Sequence, residues 1–137
     1  MTQLEEKRQK VEALPDIFYK YYLGDYGKML EIPIKKERFK GSHVIFRYEM
    51  PDSKGIMRPG ELARPDSIEF GVFDGKRRCV FFKEPNKKRE AALIFDKEYE
   101  NQIAKYEAKI RKAILKRKDL ARVINCSGGE NGHKVVS

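Results

Sequence analysis

The hydrophobic and polar positions of this 137-residue chain follow two different periods. Apolar residues alternate with other residues over positions 30–34, and the same alternation returns over positions 43–50. A period of two is typical of β-strands, so both segments are predicted strands. Because Pro33 cannot donate a ladder hydrogen bond, we place the first of these strands at a sheet edge. Over positions 97–124 the apolar residues recur every three or four positions, which predicts a long amphipathic helix.

Two helices are predicted before the first strand. Residues 4–12 are mostly charged, with apolar Leu4 and Val11, and favour a short exposed helix. Pro15 suits the first position of a second helix and Gly24 suits its end. The apolar residues between them have helical spacing: Ile17, Phe18, Tyr21 and Tyr22.

The centre of the chain is rich in turn-forming residues. Residues 51–66 contain three prolines and two glycines and predict a long loop without strands. The Asp74-Gly75 pair lies between apolar runs, which predicts a hairpin with a two-residue type I′ turn. Residues 91–95 fit either a further strand or the first turns of the last helix, and we favour the strand, with Asp96 as the N-cap of the helix.

These elements define an α+β protein. We expect N-terminal helices, an antiparallel sheet of four to five strands, and a long basic C-terminal helix. The length fits a single domain, which we assign to residues 1–125, and the small polar residues 126–137 are predicted to form a flexible tail.

The charge is concentrated in one part of the chain. The protein has 30 basic and 21 acidic residues, a net charge of +9, and residues 76–122 hold 16 of the basic and 7 of the acidic ones. The remainder is therefore neutral. A segregated positive surface is typical of proteins that bind polyanions, so the expected partner is DNA, RNA or a nucleoprotein complex.

The predicted hairpin supplies candidate contacts. A two-residue turn would place Phe73, Lys76, Arg78 and Phe82 on one face, where aromatic rings could stack on unpaired bases and cations could neutralise phosphates. The alternative is that Phe73 and Phe82 pack beneath a helix.

Further basic candidates lie after the hairpin. The connection contains Lys87, Lys88 and Arg89. On the helix, four lysines form one row beside the apolar stripe and could follow a phosphate backbone: Lys105, Lys109, Lys112 and Lys116. The alternative is an ordinary solvated helix surface.

Other residues indicate contact with protein. Arg117 lies within the apolar stripe of the helix, where an unpaired charge is costly to bury, so it needs a partner carboxylate or an exit to water. Tyr19 and Tyr22 belong to an aromatic cluster too large for one helix face and are candidate interface residues. The alternative function is a mobile-element type of inhibitor or adaptor that binds an acidic surface of a nucleic-acid-handling enzyme. A homodimer formed through the C-terminal helix is a further alternative.

Other features of the sequence limit the kinds of protein to which the chain is expected to belong. No apolar run reaches the roughly 18 residues that a bilayer span needs, and the N-terminus lacks a signal sequence, so we expect a cytoplasmic protein that does not bind membranes. Two cysteines and two histidines do not form a disulfide framework or a zinc site. We predict a non-enzymatic binding protein with no catalytic residues, no metal and no cofactor.

Overall fold

A computed structural model describes residues 2–39 and 43–130 of the chain. It contains a short helix, a six-stranded antiparallel sheet of order β4-β3-β2-β1-β6-β5 and a long helix. In chain order the elements are α1 (Gln3–Glu12), β1 (Ile17–Leu23), β2 (Met29–Arg38), β3 (Val44–Pro51), β4 (Met57–Glu61), β5 (Phe73–Asp74), β6 (Cys79–Phe82) and α2 (Lys88–Glu130). The predicted α+β class is confirmed, with six strands instead of four or five.

The chain divides into two compact units, residues 1–96 and 97–137. The first contains α1, the sheet and the first turns of α2. The second, where it is described, is the remainder of α2, which continues to Glu130 and so passes its predicted end near residue 124. The assignment of residues 1–125 to one domain stays a prediction. Of the predicted tail, residues 131–137 lie outside the described residues.

The predicted second helix is wrong, because residues 17–23 form strand β1 in the middle of the sheet. Phe18 is buried on one face and Tyr21 on the other. A strand that is covered on both sides has a nearly continuous apolar sequence, and that pattern resembles a helical stripe over a short window. Its aromatic and β-branched residues favour a strand.

Strand β2 is confirmed, but it is not an edge strand as Pro33 suggested. The amide of Lys36 donates to the Asp16 carbonyl at 2.8 Å, on the β1 side. Amides alternate in direction along a strand, so the nitrogen of Pro33 faces β3. The ladder between β2 and β3 begins only at Lys35, so the missing donor of Pro33 costs no sheet hydrogen bond.

The predicted long loop contains an unexpected strand, β4, which pairs with β3 at one edge of the sheet. An edge strand tolerates Pro59 because one row of its backbone groups has no neighbouring strand. A Cβ atom at Gly60 would lie 2.8 Å from the Tyr48 ring, so any other residue there would require that ring to move. The prolines and glycines of residues 51–66 predicted a loop, but they do not exclude an edge strand.

Residues 91–95 are helical, so the predicted strand there and the predicted N-cap at Asp96 are wrong. The first backbone hydrogen bond of the helix runs from the Ala91 amide to the Lys87 carbonyl, at 2.9 Å. Ala91 and Phe95 are buried, four residues apart, while Leu93 is exposed. This spacing is helical, and it places one face of the first turns of α2 on the sheet.

The sheet carries a hydrophobic core on each face. One cluster lies beneath α1 and the segment that follows β4, and consists of Leu14, Phe18, Ile34, Phe46, Leu62, Cys79 and Phe81. The other is closed by the first turns of α2 and consists of Tyr21, Val80, Ala91 and Phe95. One face of β1 contributes to the first cluster and the other face to the second, so the strand is packed on both sides.

A polar contact joins the sheet to the beginning of α2. The Tyr21 hydroxyl lies 2.6 Å from Glu31 Oε1 and accepts a hydrogen bond from the Lys87 amide at 3.0 Å. The same carboxylate oxygen accepts from the Asn86 amide at 2.6 Å. Burial, together with the bond to Glu31, raises the pKa of Tyr21 above its ordinary value. Glu31 thus satisfies an amide just before the helix that has no partner within it.

The two cysteines are expected to differ sharply in reactivity. Cys79 is fully buried and Cys126 is exposed. Burial raises the pKa of the Cys79 thiol to about 11, and only the thiolate is nucleophilic. At about pH 8, a disulfide reagent such as Ellman's reagent should react quickly with one thiol per chain, and with the second only after denaturant is added. Rapid reaction of both thiols in the native protein, or reaction of Cys79 first in peptide mapping, would contradict this placement.

Candidate nucleic-acid interface

The predicted hairpin exists, but its register differs from the prediction. Phe73 pairs with Val80 and Asp74 pairs with Cys79, so four residues, 75–78, form the turn. Neither Asp74 nor Gly75 has the positive φ of a type I′ turn, and the left-handed residue is Arg78, with φ of 55°. The Asp74 carboxylate instead accepts hydrogen bonds from the amides of Lys76 and Arg77 at 3.1 and 3.0 Å.

Arg77 holds the turn against the preceding segment. Its guanidinium donates to the Asp74 carboxylate at 2.6 Å and to the carbonyls of Ala63 and Arg64, each at 2.7 Å. Burial alone would raise the pKa of Asp74, but the hydrogen bonds from Arg77 outweigh it and the pKa is lowered. Arg77 is therefore committed within the fold, whereas Lys76 and Arg78 beside it are exposed.

The two predicted stacking residues of the hairpin are not free. Phe73 packs edge-on against Phe95 of α2, with ring centroids 5.2 Å apart. Phe82 packs against Tyr21 at 5.6 Å, and both phenylalanines are half-buried at the second core cluster. Phe73 thus packs on the helix, as in the alternative prediction, whereas the ring beside Phe82 is Tyr21 of strand β1. The hairpin accordingly presents cations without an aromatic platform.

The basic residues between β6 and α2 lie at the start of the helix. Lys88 and Arg89 are exposed within its first turn. Lys87 is half-buried, and its amide donates a hydrogen bond to the Tyr21 hydroxyl. With Lys76 and Arg78, these residues give the first unit a set of basic side chains around the hairpin turn and the helix start.

The four predicted helix lysines, here called the lysine row, are Lys105, Lys109, Lys112 and Lys116. All are exposed on α2. Within the described part of the chain, none of them lies in an ion pair with a carboxylate; the ion pair that α2 does contain joins Lys97 to Glu100. Lys109 Nζ lies 5.7 Å from the centre of the Tyr106 ring. Steps of three and four residues place the row on one side of the helix, so its charges are available to an external anion.

The predicted protein-interface residues are in different places. Tyr19 and Tyr22 are half-buried on opposite faces of β1 and pack against different core clusters. Because a sheet with two covered faces can bury aromatics on both sides, the surplus of tyrosines does not require an interface. Arg117 is exposed on α2, as are the apolar residues around it.

The sheet also holds a cation that sequence patterns did not single out. Lys20 of β1 has its Nζ 5.9 Å from the Tyr22 ring centre, 5.7 Å from that of Tyr48, and 3.9 Å from Met50 Sδ. We call these four residues the lysine–tyrosine patch. Among the described residues, Lys20 has no carboxylate within ion-pair distance, so its charge is met only by ring faces and sulfur. The signal in the sequence was a lysine within a run of strand-forming aromatics.

Two clefts among residues 10–83 have mixed charge. One, of about 570 Å³, includes Lys10, Asp66 and Lys83. Another, of about 530 Å³, opens where β3 diverges from β2, and is lined by residues that include Glu31, Lys35, Glu37, Arg47 and Glu49. Neither is a uniformly positive groove. The exposed lysine row lies instead on the outer surface of α2.

Comparisons with family models, with curated proteins and with solved structures find no match for this chain. No helix within residues 2–39 and 43–130 is both long and apolar enough to cross a bilayer. In the same residues, no group of three or more histidine, cysteine or acidic side chains is arranged to hold a metal ion.

Proposed function

We propose that this chain is a non-enzymatic protein that binds nucleic acid through the phosphates, using the cationic surface of α2. The observation that carries the proposal is the lysine row, four exposed lysines on one side of a helix that form no ion pair with any carboxylate of residues 2–39 and 43–130. An unpaired cationic row gains more from an external polyanion than a row already neutralised by neighbours, because no internal ion pair must be broken.

The distribution of charge supports a contact with many phosphates. Residues 108–124 contain seven basic residues and one acidic residue. Contacts of this kind release counterions and read no base sequence, so the expected binding is strongly salt-dependent and weakly sequence-specific. The exposed cations of the hairpin turn and helix start, Lys76, Arg78, Lys88 and Arg89, are proposed as secondary phosphate contacts.

The lysine–tyrosine patch adds a proposed site for unpaired bases. A sheet surface that combines a cation with aromatic rings is the arrangement by which many proteins hold single strands. Tyr22 and Tyr48 are half-buried against the first core cluster, as Phe73 and Phe82 are against the second. The two tyrosine rings differ in that they lie beside the Lys20 ammonium, whereas Phe73 and Phe82 pack against Phe95 and Tyr21. We therefore propose this patch in place of the hairpin aromatics as the contact that would distinguish single strands from duplexes.

The proposal is tested by fluorescence anisotropy with labelled single- and double-stranded DNA and RNA. We expect sub-micromolar binding at about 50 mM salt and a loss of about a thousandfold in affinity at about 200 mM, the behaviour of a protein with six or more phosphate contacts. Affinity should differ little between unrelated sequences of the same length. Absence of binding to all four ligands at low salt would overturn the proposal, and binding unaffected by salt would contradict its phosphate basis.

A further inference from the structure

The second unit has an apolar surface that no described residue covers. Its members follow alternating steps of four and three residues along α2, and we call them the apolar seam: Tyr99, Ile103, Tyr106, Ile110, Ala113, Arg117, Leu120 and Ile124. Each is exposed. Apolar residues repeated in steps of four and three over more than three heptads are typical of a helix that pairs with another helix in a coiled coil.

The seam has an internal symmetry that indicates the partner. Its steps are the same in both directions, so a second copy running antiparallel places every seam residue opposite another seam residue. The eight layers are of four kinds, each present twice, which pair Tyr99 with Ile124, Ile103 with Leu120, Tyr106 with Arg117, and Ile110 with Ala113. Self-complementarity of one surface is what a twofold dimer requires.

Charge also favours the antiparallel orientation. Residues 97–107 have a net charge of −1, whereas residues 108–124 have a net charge of +6. A parallel pair would place the +6 segment beside itself. An antiparallel pair places residues 116–124, with a net charge of +3, beside residues 99–107, with a net charge of −1, and brings basic residues near Glu100 and Glu107, which flank the seam. Only residues 108–115, with a net charge of +3, still lie beside their own copy.

Arg117, the one charged member of the seam, distinguishes the orientations most clearly. In a parallel pair it would face its own copy, two like charges at a partly buried position. In the antiparallel pair it faces Tyr106 of the second copy, whose ring can accept the guanidinium in a cation–π contact. From the seam and these charges we propose that two copies of the chain form an antiparallel coiled coil through residues 99–124.

One contact opposes this arrangement. At the flank of the Ile110 layer, Lys109 of each copy would lie near Lys116 of the other, and like charges repel. Both lysines belong to the lysine row. A bound phosphate backbone would neutralise this pair, so nucleic acid is expected to strengthen the dimer, and by linkage the dimer to strengthen nucleic-acid binding to the same degree.

The first test compares two matched variants of the full chain by sedimentation equilibrium. Ile110 and Leu115 are 58% and 59% exposed and lie on different sides of α2. Ile110→Asp should convert a dimer, of twice the 16.1 kDa chain mass, into a monomer. Leu115→Asp, which adds the same charge away from the seam, should leave the dimer intact. Equal effects of the two substitutions, or a wild-type chain that is monomeric at concentrations of about 100 μM, would overturn the proposal.

The second test determines orientation by disulfide trapping. Variants Ile103→Cys and Leu120→Cys, each with Cys126→Ser, are mixed and oxidised. The antiparallel pair brings residue 103 of one copy against residue 120 of the other, so the mixed disulfide should dominate by at least tenfold. Disulfides within each variant would show a parallel pair and overturn the proposed orientation.

These tests are independent of nucleic-acid binding, since both are made without nucleic acid. A dimer that does not bind DNA or RNA would remove the proposed function and leave this inference standing, and a monomer that binds would do the reverse. A monomer that associates with vesicles of anionic lipid through the seam would identify a membrane surface as the occupant and overturn the homodimer.

Discussion

A variant in which the lysine row is replaced by alanine is expected to bind duplex DNA about a hundredfold more weakly than the wild-type chain at about 0.1 M salt. Each lysine that contacts a phosphate contributes about 0.9 to the slope of log affinity against log salt concentration, so the slope should decrease by about 3.6. Anisotropy titrations at several salt concentrations measure both quantities. Loss of affinity should be similar for unrelated sequences, because phosphate contacts carry no sequence information.

The matched control removes four exposed lysines from the first unit: Lys7, Lys10, Lys28 and Lys54. It changes the net charge by the same amount, and its salt slope should remain within about one of the wild-type slope. If both variants lose affinity equally, binding follows net charge and not the helix surface. Circular dichroism must show unchanged helix content, which alanine is well suited to preserve.

The replacement Phe18→Ala is expected to have the largest effect on stability, a loss of about 3–5 kcal/mol in the free energy of unfolding. Phe18 is fully buried in the first core cluster, with its ring centroid 5.4, 5.5 and 5.9 Å from those of Phe46, Phe70 and Phe81. Removing the ring leaves a cavity bordered by three other rings that cannot all close it. The free energy of unfolding of a small domain is only about 5–15 kcal/mol, so the variant should unfold at a much lower urea concentration than the wild-type chain.

The control is Ile17→Ala, one residue earlier in the same strand. Ile17 is 45% exposed and points to the other face of β1, so its loss should be below about 1 kcal/mol. Urea titrations followed by near-ultraviolet circular dichroism report the tertiary structure of the sheet unit, while far-ultraviolet signals are dominated by α2. Similar losses in the two variants would contradict the alternation of β1 and its position between two cores.

The local pattern of apolar and polar residues predicted those helices and strands that have one solvent-exposed face. The alternation in β3, the exposed helix α1 and the long helix all follow from the sequence, since each has a polar face that reveals its period. Strand β1 and residues 91–95 did not, because neighbours that are distant in sequence cover them. Whether an apolar run is a strand or a helix then depends on tertiary packing, which a short window does not contain.

The residues of the candidate site could likewise be predicted only in part. The lysine row could be placed because a helix has a known angle per residue and its outer surface depends on nothing else. The residues on the hairpin face could not be predicted. The Asp74 carboxylate accepts hydrogen bonds from the amides of Lys76 and Arg77, so the turn has four residues, whereas the Asp-Gly pair predicted a turn of two. Lys20 was missed for a further reason: its contacts with Tyr22 and Tyr48 span two strands, β1 and β3, between which β2 lies.

The two outer strands of the sheet have a consequence for the behaviour of the protein at high concentration. One edge is β4, which carries Arg58 and Pro59, and the other is β5, which is two residues long. Proline interrupts the row of free amides that an incoming strand would need, charge opposes its approach, and two residues give too little backbone to bind it. The sheet is thereby protected from growing into amyloid-like fibres, even though its inner strands are rich in the apolar and aromatic residues from which such fibres form.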